Sequence, residues 1–156
     1  MRHIMLDLET FGTAPGSVLR SIGAVGFDPH GSGHEGEFYV NIDRGSCEAV
    51  GLTVDLATEK WWAEQSKEAN DQLMRGPIPV LTAVKSFHAW YATVGGEYVW
   101  CQGANFDSVL WEQAAKACGA RVPWKFWNVR DTRTIYHMAR FNEKTMKRSG
   151  TYHNAL

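Results

Sequence analysis

The stretch His3-Ile4-Met5-Leu6-Asp7-Leu8-Glu9, running on into Thr10-Phe11-Gly12, decides how this chain is read. It is a short apolar run with acids at its end, the pattern of a strand buried on both faces, and strand periodicity puts Asp7 and Glu9 on one side of it. Two further strands are predicted at residues 18–27 (VLRSIGAVGF) and 36–42 (GEFYVNI), separated by the turn-forming Asp28-Pro29-His30-Gly31-Ser32-Gly33. Connections this short imply an antiparallel meander in which the first strand is central.

The hydrophobic period then lengthens. Residues 58–74 read as one helix, with Thr58 at its N-cap and Gly76-Pro77 as its stop, and residues 79–94 as a second that ends at Gly95-Gly96. A strand at 97–102, the small-residue turn Gly103-Ala104-Asn105 and a helix over 106–118 form the start of an α/β crossover. Residues 123–129 suggest a fifth strand, residues 131–139 a short helix capped by Asp131, and residues 140–150 a polar, basic loop. The fold class expected is therefore α/β: one domain over residues 1–156 with a mixed five-stranded sheet, strands one to three antiparallel and strands four and five parallel, flanked by helices.

Composition is consistent with one such domain. The chain has 156 residues, 44% hydrophobic and 21% charged, and its cysteines (Cys47, Cys101, Cys118) are odd in number and contain no CxxC pair. That argues against a disulfide framework and a structural zinc site and for reduced thiols in a cytoplasmic protein. No apolar run approaches the roughly 18 residues of a membrane span. The net charge of −1 conceals an asymmetry: residues 1–120 hold 8 Lys/Arg against 15 Asp/Glu, residues 121–156 hold 8 against 2. A basic C-terminal part points to a polyanion partner or to a solvated basic face.

Asp7 and Glu9 leave the same strand face about 6.6 Å apart along the chain. Like charges beside a core repel and lose hydration, which a divalent cation offsets, and oxygen-only ligation suits Mg²⁺ or Mn²⁺. The bland alternative is a solvated strand end. Asp107 begins the helix after a strand parallel to the first, so it falls on the same sheet edge as Asp7 and Glu9; the alternative is that Asn105 or Asp107 only caps that helix. Trp61 and Trp62 point about 100° apart on a helix, which allows one in the core and one lining a cleft. Phe11 and Phe106, beside the acids, are further candidate platforms for a base. Lys144, Lys147 and Arg148 are candidate phosphate contacts, or else part of a solvated loop.

Taken together, Asp7-Leu8-Glu9-Thr10, Asn105-Phe106-Asp107 and His153, in this order across the whole chain, resemble the motifs of the DEDDh-type 3′–5′ exonucleases, the superfamily with a ribonuclease H-like fold that includes ribonuclease T and proofreading exonucleases. Thr58, Trp61-Trp62, Gln65, Pro123-Trp124, Trp127-Asn128 and Arg130-Asp131 are similar to the ribonuclease AS-like small exoribonuclease group of mycobacteria and phages. The resemblance implies hydrolysis of terminal phosphodiesters at the 3′ end of single-stranded or 3′-overhang nucleic acid, RNA in preference to DNA, by two divalent cations. It makes Asp7, Glu9 and Asp107 the metal ligands and His153 the general base, a role that suits a side chain with a pKa near 6.5. It also implies that Thr10 and Phe11 offer backbone amides to the terminal sugar, that adenylate-containing RNA is the substrate, and that the protein is a homodimer. The third motif normally pairs its histidine with an aspartate at a position two beyond Leu156. The expectation is a domain lacking its last helix, with weak activity for want of a fourth carboxylate, and the alternative function is a catalytically impaired module that binds nucleic-acid 3′ ends. Asp131 is set aside as a replacement ligand because it falls in a predicted cap.

Overall fold

In the computed structural model, which describes residues 2–31, 33–146 and 155, the sheet has five strands in the order β3-β2-β1-β4-β5. β1 (Arg2–Thr10), β2 (Leu19–Phe27) and β3 (His34–Asn41) form the antiparallel meander, while β4 (Gly96–Cys101) and β5 (Val129–Asp131) join it in parallel. β1 is thus the central strand, as the short connections require.

β1, expected to be buried on both faces, is buried on one. Ile4, Leu6 and Leu8 are at most 5% exposed, whereas His3, Met5, Asp7 and Glu9, one residue out of phase, are half-buried. The closed face packs against α4 (Val80–Thr93) and α5 (Asp107–Ala117), which bring Val84, Phe87, Leu110, Trp111 and Ala114 into the same core. The apolar residues of β1 on its other face, His3 and Met5, gave the run its continuous hydrophobic appearance.

The structure also corrects the helical reading. Residues 58–74 are not one helix: α2 (Leu56–Ala63) and α3 (Lys67–Leu73) are separate, because Ser66 takes an extended ψ and accepts a hydrogen bond from the Ala69 amide as the N-cap of the second. The N-cap of α2 is Asp55, not Thr58; its carboxylate accepts from the amides of Ala57 and Thr58 and from the Thr58 hydroxyl. α1 (Arg44–Ala49), capped by Asp43, was missed because six residues carry no readable period. The fifth strand starts only at Val129; Phe126–Asn128 form a 3₁₀ turn, and strand geometry sets in where Val99 to Cys101 offer a parallel partner. α6 (Thr132–Met138) is capped by Asp131 as expected. No helix among the described residues is long and apolar enough to cross a membrane.

Candidate active site

The Asp107 carboxylate reaches β1 where the parallel ladder ends. β1 pairs with β4 only as far as Met5 opposite Trp100, and β4 stops at Cys101. The Leu8 amide therefore lies past the end of that ladder, and Asp107, the first residue of α5, accepts it at 3.2 Å through Oδ1. This bond fixes the Asp107 carboxyl to the backbone between Asp7 and Glu9. Asp107 is only 3% exposed and its Oδ1 is taken by the Leu8 amide, so it does more than cap α5; Asn105 is exposed, and no side-chain cap bond is made at this helix start.

The turn that delivers Asp107 is tied from a third strand. Asp131, at the end of β5, accepts from the amides of Gly103 (3.3 Å), Ala104 (3.0 Å) and Arg133 (2.9 Å). Although partial burial opposes it, these amides hold the Asp131 carboxyl below the usual carboxylate range. Its oxygens are thus spent on backbone, which is the structural reason it serves as a cap.

Concentrating acid here has an electrostatic cost. Desolvation pushes Asp7 up to about 6; desolvation and then the charges of Asp7 and Asp107 push Glu9 up to about 7; desolvation and then Asp7 push Asp107 up to about 7. A cation would remove this cost, and a carboxylate-only donor set suits Mg²⁺ or Mn²⁺. Among the described residues no three His, Cys, Asp or Glu side chains close around one point.

Beside the acids lies a pocket of about 410 Å³ lined by Glu9, Thr10, Thr58, Trp61, Trp62 and Phe106, among others. The adjacent tryptophans divide the work. Trp62 is 3% exposed, donates its indole N–H to the Thr10 carbonyl at 2.8 Å and has one face covered by the Arg20 guanidinium at 4.1 Å. Trp61 is 43% exposed. Phe11 does not line this pocket: the guanidinia of Arg20 (4.6 Å) and Arg44 (5.2 Å) lie over its ring, so it is a poor platform for a base. Lys144 stands exposed in the turn Glu143–Thr145 and is not part of the lining; Lys147, Arg148 and His153 lie outside the described residues.

Arg20 is the residue the sequence reading missed. The β1–β2 register slips between Glu9 and Thr10, so that Ser21 faces Glu9, Leu19 faces Thr10 and Arg20 is the extra residue of a bulge. It is 6% exposed, lies between Phe11 and Trp62, and donates to Asn70 Oδ1 at 3.2 Å. Burial lowers its pKa to about 10, opposed by the charge of Glu9. An arginine inside the apolar run VLRSIGAVGF was the available signal, since a buried cation demands partners.

The sequence profile described as the 3′-5′ exoribonuclease Rv2179c-like domain matches residues 2–156. The chain belongs to this family. Among solved structures, Escherichia coli exonuclease I in complex with a dT13 oligonucleotide is similar, with a TM-score of 0.64 and 14% identity over 98% of this chain and 32% of that one. A product-bound exonuclease I is also similar, with a TM-score of 0.59 and 15% identity over 98% of this chain and 35% of that one. This Rv2179c-like chain spans about a third of those chains, and at identities this low the likeness shows a shared fold. No curated protein matches significantly.

Proposed function

We propose that this protein is a metal-dependent 3′–5′ exonuclease that hydrolyses terminal phosphodiester bonds of single-stranded RNA, with single-stranded DNA ends as a secondary substrate. The observation that carries the reading is the Leu8–Asp107 hydrogen bond, which joins a third carboxylate to the Asp7–Glu9 pair beside an aromatic pocket. Family membership and the likeness to exonuclease I solved with an oligonucleotide support it.

Asp7, Glu9 and Asp107 would hold two Mg²⁺ or Mn²⁺ ions, which, when bound, supply charge stabilisation to the attacking and leaving oxygens of an in-line displacement. The chain's own residues do the rest. Glu9 lines the pocket as well as the acid cluster, so it orients the terminal sugar with respect to the scissile bond. Trp61 and Phe106 offer rings to the terminal base, Thr10 and Phe11 backbone to its sugar. His153 takes the proton of the attacking water. Lys147 and Arg148 contribute positive charge before it in the chain. A homodimer in the cytoplasm acting on adenylate-containing RNA completes the reading.

The test is incubation of 5′-labelled single-stranded RNA, and the matching DNA, with the protein in Mn²⁺. A ladder that shortens from the 3′ end, faster for RNA and abolished by Asp7→Asn, is expected. Binding without shortening would make the protein a 3′-end binding module, and internal cuts would reject the exonuclease reading.

A further inference from the structure

We propose that Arg133 is a phosphate-holding residue of this site, seated on Gly103 so that its guanidinium meets the backbone of a strand whose end lies at the carboxylates. The proposal rests on the nucleic-acid reading above. Arg133 is the second residue of α6, and its amide is fixed to Asp131 Oδ1 at 2.9 Å. The same carboxylate holds the amides of Gly103 and Ala104, so the arginine and the turn leading to Asp107 hang from one anchor. The guanidinium lies against Gly103: a Cβ there would stand 2.9 Å from Nη1 and 3.4 Å from Cζ. Gly103 also has φ +112°, a conformation that L side chains rarely adopt. Glycine is thus required by the turn, and its missing Cβ leaves the space in which the guanidinium lies.

The charge so placed is in no ion pair among the described residues. Arg44 is paired with Glu48 and Glu59, Arg20 is stacked on Phe11 and Trp62, and Arg130 lies over Tyr98. Arg133 is exposed, and among the described residues no carboxylate comes within ion-pair distance of it, yet its field reaches both Asp107 and Asp131. A strand bound at the site would carry phosphates past Asp107, and the planar fork of an arginine matches two phosphate oxygens where a lysine offers a point charge. The aromatic pocket then lies at Glu9 and the cationic contact at Asp107, one for the nucleoside and one for the backbone.

The experiment compares wild type, Arg133→Gln and Arg133→Lys on a fluorescent single-stranded RNA in Mn²⁺ over a range of salt. Loss of one charge-assisted contact is expected to raise KM about tenfold or more in Arg133→Gln. It should also flatten the slope of log(kcat/KM) against log[salt] by about 0.7, the value for one phosphate on a single strand. Arg133→Lys should restore the slope but only part of the KM, and the Mn²⁺-induced rise in Tm should be the same in all three. An active Arg133→Gln protein with wild-type KM and slope overturns the proposal. So does a lost Mn²⁺ response, which would mean that Arg133 acts through the carboxylates. If the wild type does not shorten RNA, the functional reading fails instead, and anisotropy of the same RNA with the three proteins still decides whether Arg133 holds phosphate.

Discussion

The two faces of β1 differ by one residue in phase and do opposite things. Ile4, Leu6 and Leu8 belong to the core that α4 and α5 complete, Leu8 reaching the pocket wall at its edge, while Asp7 and Glu9, on the same backbone, stand half-buried, with Glu9 in the pocket lining. The closed face supplies rigidity, and the open face uses it: carboxylates that repel one another are held in place because the strand cannot yield. Stability and chemistry are thus separated by the pleat, and substitutions on the two faces should have separable effects.

The largest expected effect is on the open face. Asp7→Asn should reduce RNA shortening about a thousandfold or more, since several kcal/mol of metal-derived charge stabilisation are lost. The metal-free variant should melt no lower than the wild type, because a repelling charge has gone. A variant that is active in Mn²⁺ would break the assignment. On the closed face, Leu6→Ala should cost about 2–5 kcal/mol in denaturant unfolding while leaving the Mn²⁺-induced stabilisation of the folded protein in place. Equal loss of metal response from both variants would show that the faces are not separable.

Trp61 and Trp62 repeat the contrast on α2. Trp62→Ala should destabilise by about 3–5 kcal/mol, since a buried indole is removed and the Thr10 carbonyl loses its donor. Trp61→Ala should leave Tm nearly unchanged but raise KM for RNA by about tenfold, the lower part of the range for one base stacked on an aromatic ring. Titration sharpens the comparison. Asp7, Glu9 and Asp107 have folded-state pKa values raised to about 6, 7 and 7, so the metal-free folded protein binds more protons than the unfolded chain between about pH 4 and 7. Their stabilising contribution is present below that window and is lost as pH rises through it, at about 1.4 kcal/mol per group and pH unit. Chemical unfolding at pH 5 and 7.5 without metal should show this loss, smaller in Glu9→Gln, and Mn²⁺ at pH 7.5 should cancel it.

Much of this was legible in the chain because it depends on local period and short connections. The meander, the central β1, the placement of Asp7 with Glu9, and the crossover that carries Asp107 to the same edge all follow from residues near in sequence. The break at Ser66 was not legible, since a helical stripe continues across it; nor was α1, too short to show a period. Phe11 looked like a base platform beside the acids until two arginines, nine and thirty-three residues away, were found over its ring.

The sequence by itself determined the strands of the meander, most of the longer elements and the types of donor at the site, because backbone periodicity and side-chain chemistry are local properties. Only the tertiary structure decided what each donor is free to do. Asp131 and Asp107 are both aspartates at the start of helices, yet one spends its oxygens on three amides and the other is pressed beside two more carboxylates. That difference arises from which amides and charges distant segments bring within reach, and burial then sets its energetic weight.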